Sequence, residues 1–220
     1  MVFVADGLAA KSIRAIFHGY RPFKIVETGT FLGLGSTRII AEAIRDYSIN
    51  AQFYSIECNP SFFNGATNNL KSLGLSIFVE LINGLSVPHS RLLPREEIVE
   101  WLSKQPADLF DDLQRERKAV NYVEETSFNV PDDQLRVVLE KFNFRPDFVL
   151  LDSAGYLGNV EFNYLLSLLK GPTFIVLDDA MHHVKHFENW QFMLNNPKQF
   201  KQMFTVDERY GVVGFHYNPD

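Results

Sequence analysis

The chain has one cysteine, Cys58. A lone thiol excludes an intramolecular disulfide and a cysteine-built zinc site. Basic residues are also in the minority, 21 Lys and Arg against 27 Asp and Glu, for a net charge of -6. A nucleic-acid groove needs clustered Lys and Arg, so no nucleic-acid partner is expected. No apolar run approaches the roughly 20 residues that span a bilayer. The opening MVFVADGLAAKSIRAIF lacks a basic leader followed by a long apolar core, so neither a membrane partner nor a signal peptide is expected. These absences describe a soluble, cytoplasmic protein. Repeats and low-complexity tracts are missing too. The 220 residues, 46% hydrophobic and 22% charged, suffice for one sizeable core in a single domain spanning 1–220.

What is present is alternation. Short apolar runs read as strands: KIVET (24–28), FYSIE (53–57), SIFVELIN (76–83), DFVLLD (147–152) and TFIVLD (173–178). Helical patterns separate them. Ile39, Ile40, Ala43, Ile44 and Tyr47 share one face after the first strand. Asn59-Pro60 opens a second helix that Gly74 closes, and LGNVEFNYLLSLLKGP ends a third at Gly171-Pro172. The tail, QFKQMFTVDERYGVVGFHYN, reads as an antiparallel hairpin turning at 208–210. The expected fold class is α/β: a Rossmann-like, doubly wound, seven-stranded, mostly parallel sheet with a C-terminal antiparallel hairpin.

Residues 88–146 break this rhythm, being far longer than one crossover helix requires. PREEIVEWL and PDDQLRVVLEKF each carry a single apolar stripe, Ile98 with Trp101 and Leu102, and Leu135 with Val138, Leu139 and Phe142. The stretch reads as a helical insertion. It can serve as an acceptor pocket lined by Trp101, Phe110 and Tyr122, or equally as a homodimer surface.

The segment KIVETGTFLGLGSTRII (24–40) joins strand, glycine turn and helix, an arrangement that holds an anionic group at a helix N-terminus. Its glycines match neither the dinucleotide pattern G-x-G-x-x-G nor a P-loop. Glu27, at the tip of the first strand, repels a pyrophosphate but suits a cation. Glu57 ends the second strand, where a carboxylate can accept both ribose hydroxyls. Two acids sharing one cavity mouth point to a sugar-bearing cation, a description that S-adenosylmethionine satisfies.

With "VETGTFLGLGS", "YSIECN", "LINGLS", "DFVLLDSAG" and "FIVLDDA" in this order, the chain resembles the class I S-adenosylmethionine-dependent methyltransferases, and among them the small-molecule, metal-dependent O-methyltransferases. The resemblance implies that Glu27, Gly29, Thr30, Phe31, Gly33 and Gly35 hold the methionine end, with Ser36 on its carboxylate. It implies Glu57 on the ribose, Cys58 beside the adenine, and Asn83, Gly84 and Ser86 around the adenine edge.

Asp152, Asp178 and Asp179 end two strands and should converge; a divalent cation relieves the repulsion of three carboxylates, and oxygen ligands favour Mg²⁺. In the O-methyltransferases that the chain resembles, acids at matching positions hold Mg²⁺, which activates and orients the acceptor hydroxyl. The alternative is that Asp152 positions the donor while Asp178 and Asp179 cap the following helix. Some relatives carry a Lys or an acid two or three residues after the metal Asp, where this chain has Ala154 and Gly155. Base candidates are therefore His182 and His183 in DDAMHHVKHF, with His186 structural, on a helix expected to start there. The expected activity is methyl transfer to an oxygen of a small-molecule acceptor. The rivals are a nicotinamide-dependent oxidoreductase and a nucleoside-binding protein without turnover.

Overall fold

A computed structural model describes residues 6–106, 109 and 115–219. The strands are β1 (Lys24–Thr28), β2 (Gln52–Glu57), β3 (Glu80–Asn83), β4 (Phe148–Leu151), β5 (Thr173–Leu177), β6 (Phe200–Val206) and β7 (Val212–Tyr217). They form one sheet in the order β3-β2-β1-β4-β5-β7-β6. The pairs among β1 to β5 are parallel, and β7 runs antiparallel to both β5 and β6. The chain leaves β1 toward β2 and later returns to β1's other side with β4. That reversal opens a crevice at the C-terminal tips, where open α/β sheets bind ligands.

The two-residue period of a strand divides the core. Ile25, Phe53, Phe148, Leu150, Phe174 and Val176 face one side, against α1 (Leu8–Tyr20) and α2 (Ser36–Asp46). Val26, Ile56, Val149, Leu151, Ile175 and Leu177 face the other, against α6 (Gln134–Lys141) and α7 (Gly155–Leu168). Strands covered on both faces tend to be apolar throughout, as β4 (FVLL) and β5 (TFIVL) nearly are. α3 (Pro60–Ser72) starts as its sequence indicates: the Asn59 side chain accepts from the amides of Ser61 (2.9 Å) and Phe62 (3.4 Å).

Several elements differ from the sequence reading. β3 is shorter than SIFVELIN because residues 76–78 turn and expose Ile77. Three helices went unanticipated: α1, α5 (Arg115–Thr126) and α8 (Phe187–Asn195). No helix follows Asp179. The amides of Ala180, Met181 and His182 donate instead to the carbonyls of Gly211 and Tyr210 in the β6–β7 turn, so α8 begins only at Phe187. Within the long insertion, Leu135, Val138, Leu139 and Phe142 join the core beside the sheet. α4 (Arg95–Lys104) and α5 make a separate cluster: Ile98, Leu102, Ala119 and Tyr122 pack on Tyr156 and Val184. Among the described residues, no helix is long and apolar enough to cross a membrane.

Candidate functional site

The tips of β1, β2 and β4, the start of α7 and the inner face of α5 enclose a cavity of about 480 Å³, within the range of small-molecule sites. Of the sequence-predicted donor residues, Gly29, Phe31, Glu57, Cys58, Gly84, Ser86 and Asp152 line it. Thr30, Gly33, Gly35, Ser36 and Asn83 are not on that wall. Thr30 and Ser55 hydroxyls pair at 2.6 Å, and Asn83 Nδ2 donates to the Glu57 carbonyl at 2.8 Å.

Gly29 has φ +80°, and a Cβ there would stand 2.4 Å from the Asp152 backbone. Its glycine is required by the contact between the loop and β4, a closeness that sequence reasoning had assigned to a ligand. Phe31 also has positive φ (51°), uncommon for a bulky residue and locally strained. Its ring packs edge-on to Phe62 at 4.5 Å on the cavity wall.

The two acids expected at one mouth are separated. Glu57 is on the wall: its Oε2 accepts from the Phe31 amide at 2.7 Å and its Oε1 from the Asn59 amide at 2.8 Å. Each oxygen keeps a further lone pair for a ligand. Burial raises its pKa. Glu27 is enclosed beneath the loop and absent from the wall. Thr37 and Ser55 donate to its Oε2, both at 2.6 Å, while the buried Oε1 has no partner among the described residues. Burial pushes the Glu27 carboxyl up to about 7, against hydrogen bonds from Ser36, Ser55 and Thr37.

Sequence reasoning missed Glu161. Fully buried on α7, it accepts from Thr28 (2.7 Å), Ser153 (2.7 Å) and Ser86, so one carboxylate fastens the ends of β1, β3 and β4 beneath the cavity. Burial raises its pKa to about 7. The available signal was an acid on the otherwise apolar face of LGNVEFNYLL.

Asp152, Asp178 and Asp179 do converge, with ligand oxygens within 4.8 Å of one another. Asp179 adopts the left-handed conformation (φ 52°), which Asp tolerates. Sequence reasoning overlooked a fourth member, Lys185. Its Nζ lies 2.8 Å from Asp152, 3.1 Å from Asp179 and 4.0 Å from Asp178, and the side chain is 3% exposed. The oxygen set alone suits Mg²⁺, but Mg²⁺ demands oxygens at about 2.0–2.1 Å. The ammonium already stands among those oxygens, so the cluster as built does not also fit a divalent ion.

The histidines part company. His182 is half exposed and bonded to Asp207 at 2.8 Å, away from the cavity. His183 lines the cavity, and its Nδ1 accepts the Lys185 amide at 3.0 Å. Burial lowers its pKa to about 4, leaving a neutral ring that is a weak base at pH 7. His186 is buried against Asn189, consistent with a structural part.

α5 supplies the roof: Lys118, Asn121, Tyr122 and Glu125 line the cavity. Burial, with Glu57 nearby, pushes the Glu125 carboxyl up to about 6. Cys58 Sγ donates to the Glu125 carbonyl at 3.3 Å, and burial pushes that thiol up to about 12, so it is inert. Of the three aromatic residues proposed as acceptor lining, Tyr122 is on the wall. Trp101 packs instead on Tyr156 and donates to Glu188. Phe110 lies outside the described residues.

No protein-family model matches the chain, and no curated sequence relative matches it. Solved structures do. A methyltransferase from Geobacter sulfurreducens matches over 99% of this chain and 82% of its own, at 15% identity and TM-score 0.55. An O-methyltransferase from Bacillus cereus in complex with SAH matches over 98% and 82%, at 12% identity and TM-score 0.56. The O-methyltransferase TomG from Streptomyces achromogenes, involved in tomaymycin synthesis and in complex with SAM, matches over 94% and 77%, at 16% identity and TM-score 0.50. The chain has the class I methyltransferase fold, and these neighbours are methyltransferases.

Proposed function

We propose that the protein transfers the methyl group of S-adenosylmethionine to an oxygen of a small-molecule acceptor. The observation that carries this reading is the cavity itself: the glycine loop, the Glu57 carboxylate and Asp152 line it together, on a fold whose neighbours include complexes with SAM and with SAH. Glu57 would take the ribose hydroxyls. The Oε1 of Glu27, without a partner among the described residues, would supply an acceptor for the donor's ammonium if the loop over it shifts. Cys58, Gly84 and Ser86 would flank the adenine.

In the reaction the acceptor oxygen forms a bond to the methyl carbon. The carbon–sulfur bond breaks with its electron pair passing to sulfur, which leaves S-adenosylhomocysteine. The hydroxyl proton would pass to a carboxylate of the wall, with Asp152 the candidate that also contacts Lys185. His183 can orient the acceptor as a neutral donor. Mg²⁺ assistance, expected from the resemblance, is set aside in this reading because Lys185 stands among the acids. The acid-rich wall and the α5 roof suit a small hydroxyl compound.

Calorimetry with S-adenosylmethionine, S-adenosylhomocysteine and NAD, followed by label transfer to a panel of hydroxyl compounds, tests the proposal. Binding of NAD alone supports the oxidoreductase. Donor binding without transfer to any acceptor supports a binding protein.

A further inference from the structure

We propose that Lys185 is the resident cation of this site: its ammonium replaces the divalent ion between Asp152, Asp178 and Asp179, and the protein works without metal there. The inference rests on the methyl-transfer reading and deepens it by naming the group that organises the acceptor side.

Three observations carry it. The first is position. Nζ stands 2.8 Å from Asp152 and 3.1 Å from Asp179, with Asp178 at 4.0 Å, so one cation serves all three acids. The second is a built recess. A Cβ on Gly158 would lie 3.0 Å from Lys185 Cγ and 3.1 Å from His186 Nε2, so α7 has a side chain missing where the lysine stem passes. The third is anchoring. The amides of Ala180, Met181 and His182 tie one end of the loop to the β6–β7 turn, and buried His186 with Asn189 ties the other. A lysine that merely neutralised a surface patch would need none of these supports.

The chemistry fits the reaction. An ammonium has three donors. Two are directed by the contacts to Asp152 and Asp179, and Asp178 at 4.0 Å is beyond hydrogen-bond reach. The third can be presented to an acceptor oxygen in the cavity that Lys185 lines. The lysine would thus hold the acceptor against the carboxylates, as a metal would by coordination, while carrying one positive charge in place of two. That lower charge suits a site which must also admit a sulfonium. Lys185 in this account touches the acceptor directly, through its third ammonium proton.

The test is a calorimetric Mn²⁺ titration of the full chain, free and saturated with S-adenosylhomocysteine, for the wild type, Lys185→Ala and Lys185→Met. The wild type should take up no Mn²⁺ below about 1 mM, the weak end of protein oxygen sites. Lys185→Ala, its acids now uncompensated, should bind Mn²⁺ at least about tenfold more tightly. Wild-type binding as tight as the variant's overturns the proposal, and so does a folded Lys185→Ala that binds no Mn²⁺. Should Lys185→Ala fail to fold by circular dichroism, Lys185→Met, which keeps the stem, is judged by the same two outcomes. Methyl transfer abolished by EDTA and restored by Mg²⁺ also overturns it. S-adenosylhomocysteine binding is read separately. Its absence sinks the methyltransferase reading, whereas Mn²⁺ on the wild type with donor binding intact sinks only the lysine.

Discussion

Gly29 and Glu161 show how much rests on single residues at the tips of this sheet. An alanine at 29 would need both a left-handed backbone and space that the Asp152 carbonyl occupies. Gly29→Ala should therefore cost about 3 kcal/mol or more in urea unfolding. Gly19, whose added Cβ meets nothing within 4 Å, is the control; Gly19→Ala in α1 should be neutral or stabilising by about 1 kcal/mol. Glu161 makes a pH prediction. Its folded pKa is raised from 4.5 to about 7, so the folded chain binds more protons than the unfolded one between those values. Stability must fall as pH rises through that window, by up to about 3 kcal/mol from this group. Glu27 contributes in the same sense. Glu161→Gln should flatten part of the slope of urea midpoints between pH 4.5 and 8; an unchanged slope would refute the assignment.

Among the elements, α5 decides whether the insertion is scaffold or working part. Its Tyr122 is 7% exposed, lines the cavity and packs against the first turn of α7, where any Cβ on Gly155 would strike the ring. Tyr122→Ala should cost about 3 kcal/mol as a buried aromatic truncation. If α5 is a roof, it should also weaken S-adenosylhomocysteine binding about tenfold in calorimetry at a temperature where the variant remains folded. Loss of stability with unchanged affinity would make α5 plain scaffold. Legibility divides along the same elements. β4 and β5 could be read because strands buried on both faces are written in continuous apolar runs, β1 and β2 as short apolar-rich runs ending near an acid, and α3 because Asn59-Pro60 signals its start. α5 could not: RERKAVNYVEET is mostly polar, and what buries Ala119 and Tyr122 comes from distant Tyr156 and Val184. The loop after β5 was misread because two aspartates before an apparent helix look like caps, and only the β6–β7 turn, 30 residues on, diverts those amides. Lys185 went unnoticed for the same reason, since its partnership with Asp152 spans a separation of 33 residues.

For the whole molecule, the mostly parallel sheet and the C-terminal hairpin were legible in the alternation of runs, whereas the strand order came from the structure; its reversal between β2 and β4 beside β1 sets where a guest can lie. The acid-rich character expected at the cavity mouth survives in different hands: Glu57, Glu125, Asp152 and Asp179 stand on the wall, and Glu27 does not. A ligand that selects this folded cavity stabilises the entire chain. S-adenosylmethionine at about 100-fold over its Kd should add roughly 2.7 kcal/mol. For a chain of this size that is a rise in Tm of roughly 5–11 °C. NAD should leave the melting curve where it was.

The touching backbones of Gly29 and Asp152 have one more consequence. In the proposed reading the glycine loop holds the donor and the Asp152 cluster faces the acceptor, and the two meet at a seam with no room for a side chain between them, so neither would drift alone. If the proposed methyl transfer holds, lesions at that seam should degrade recognition of both substrates in proportion, and such an enzyme would have little freedom to evolve a new acceptor by reshaping its glycine turn. Novelty in its clientele would have to arrive through the roof.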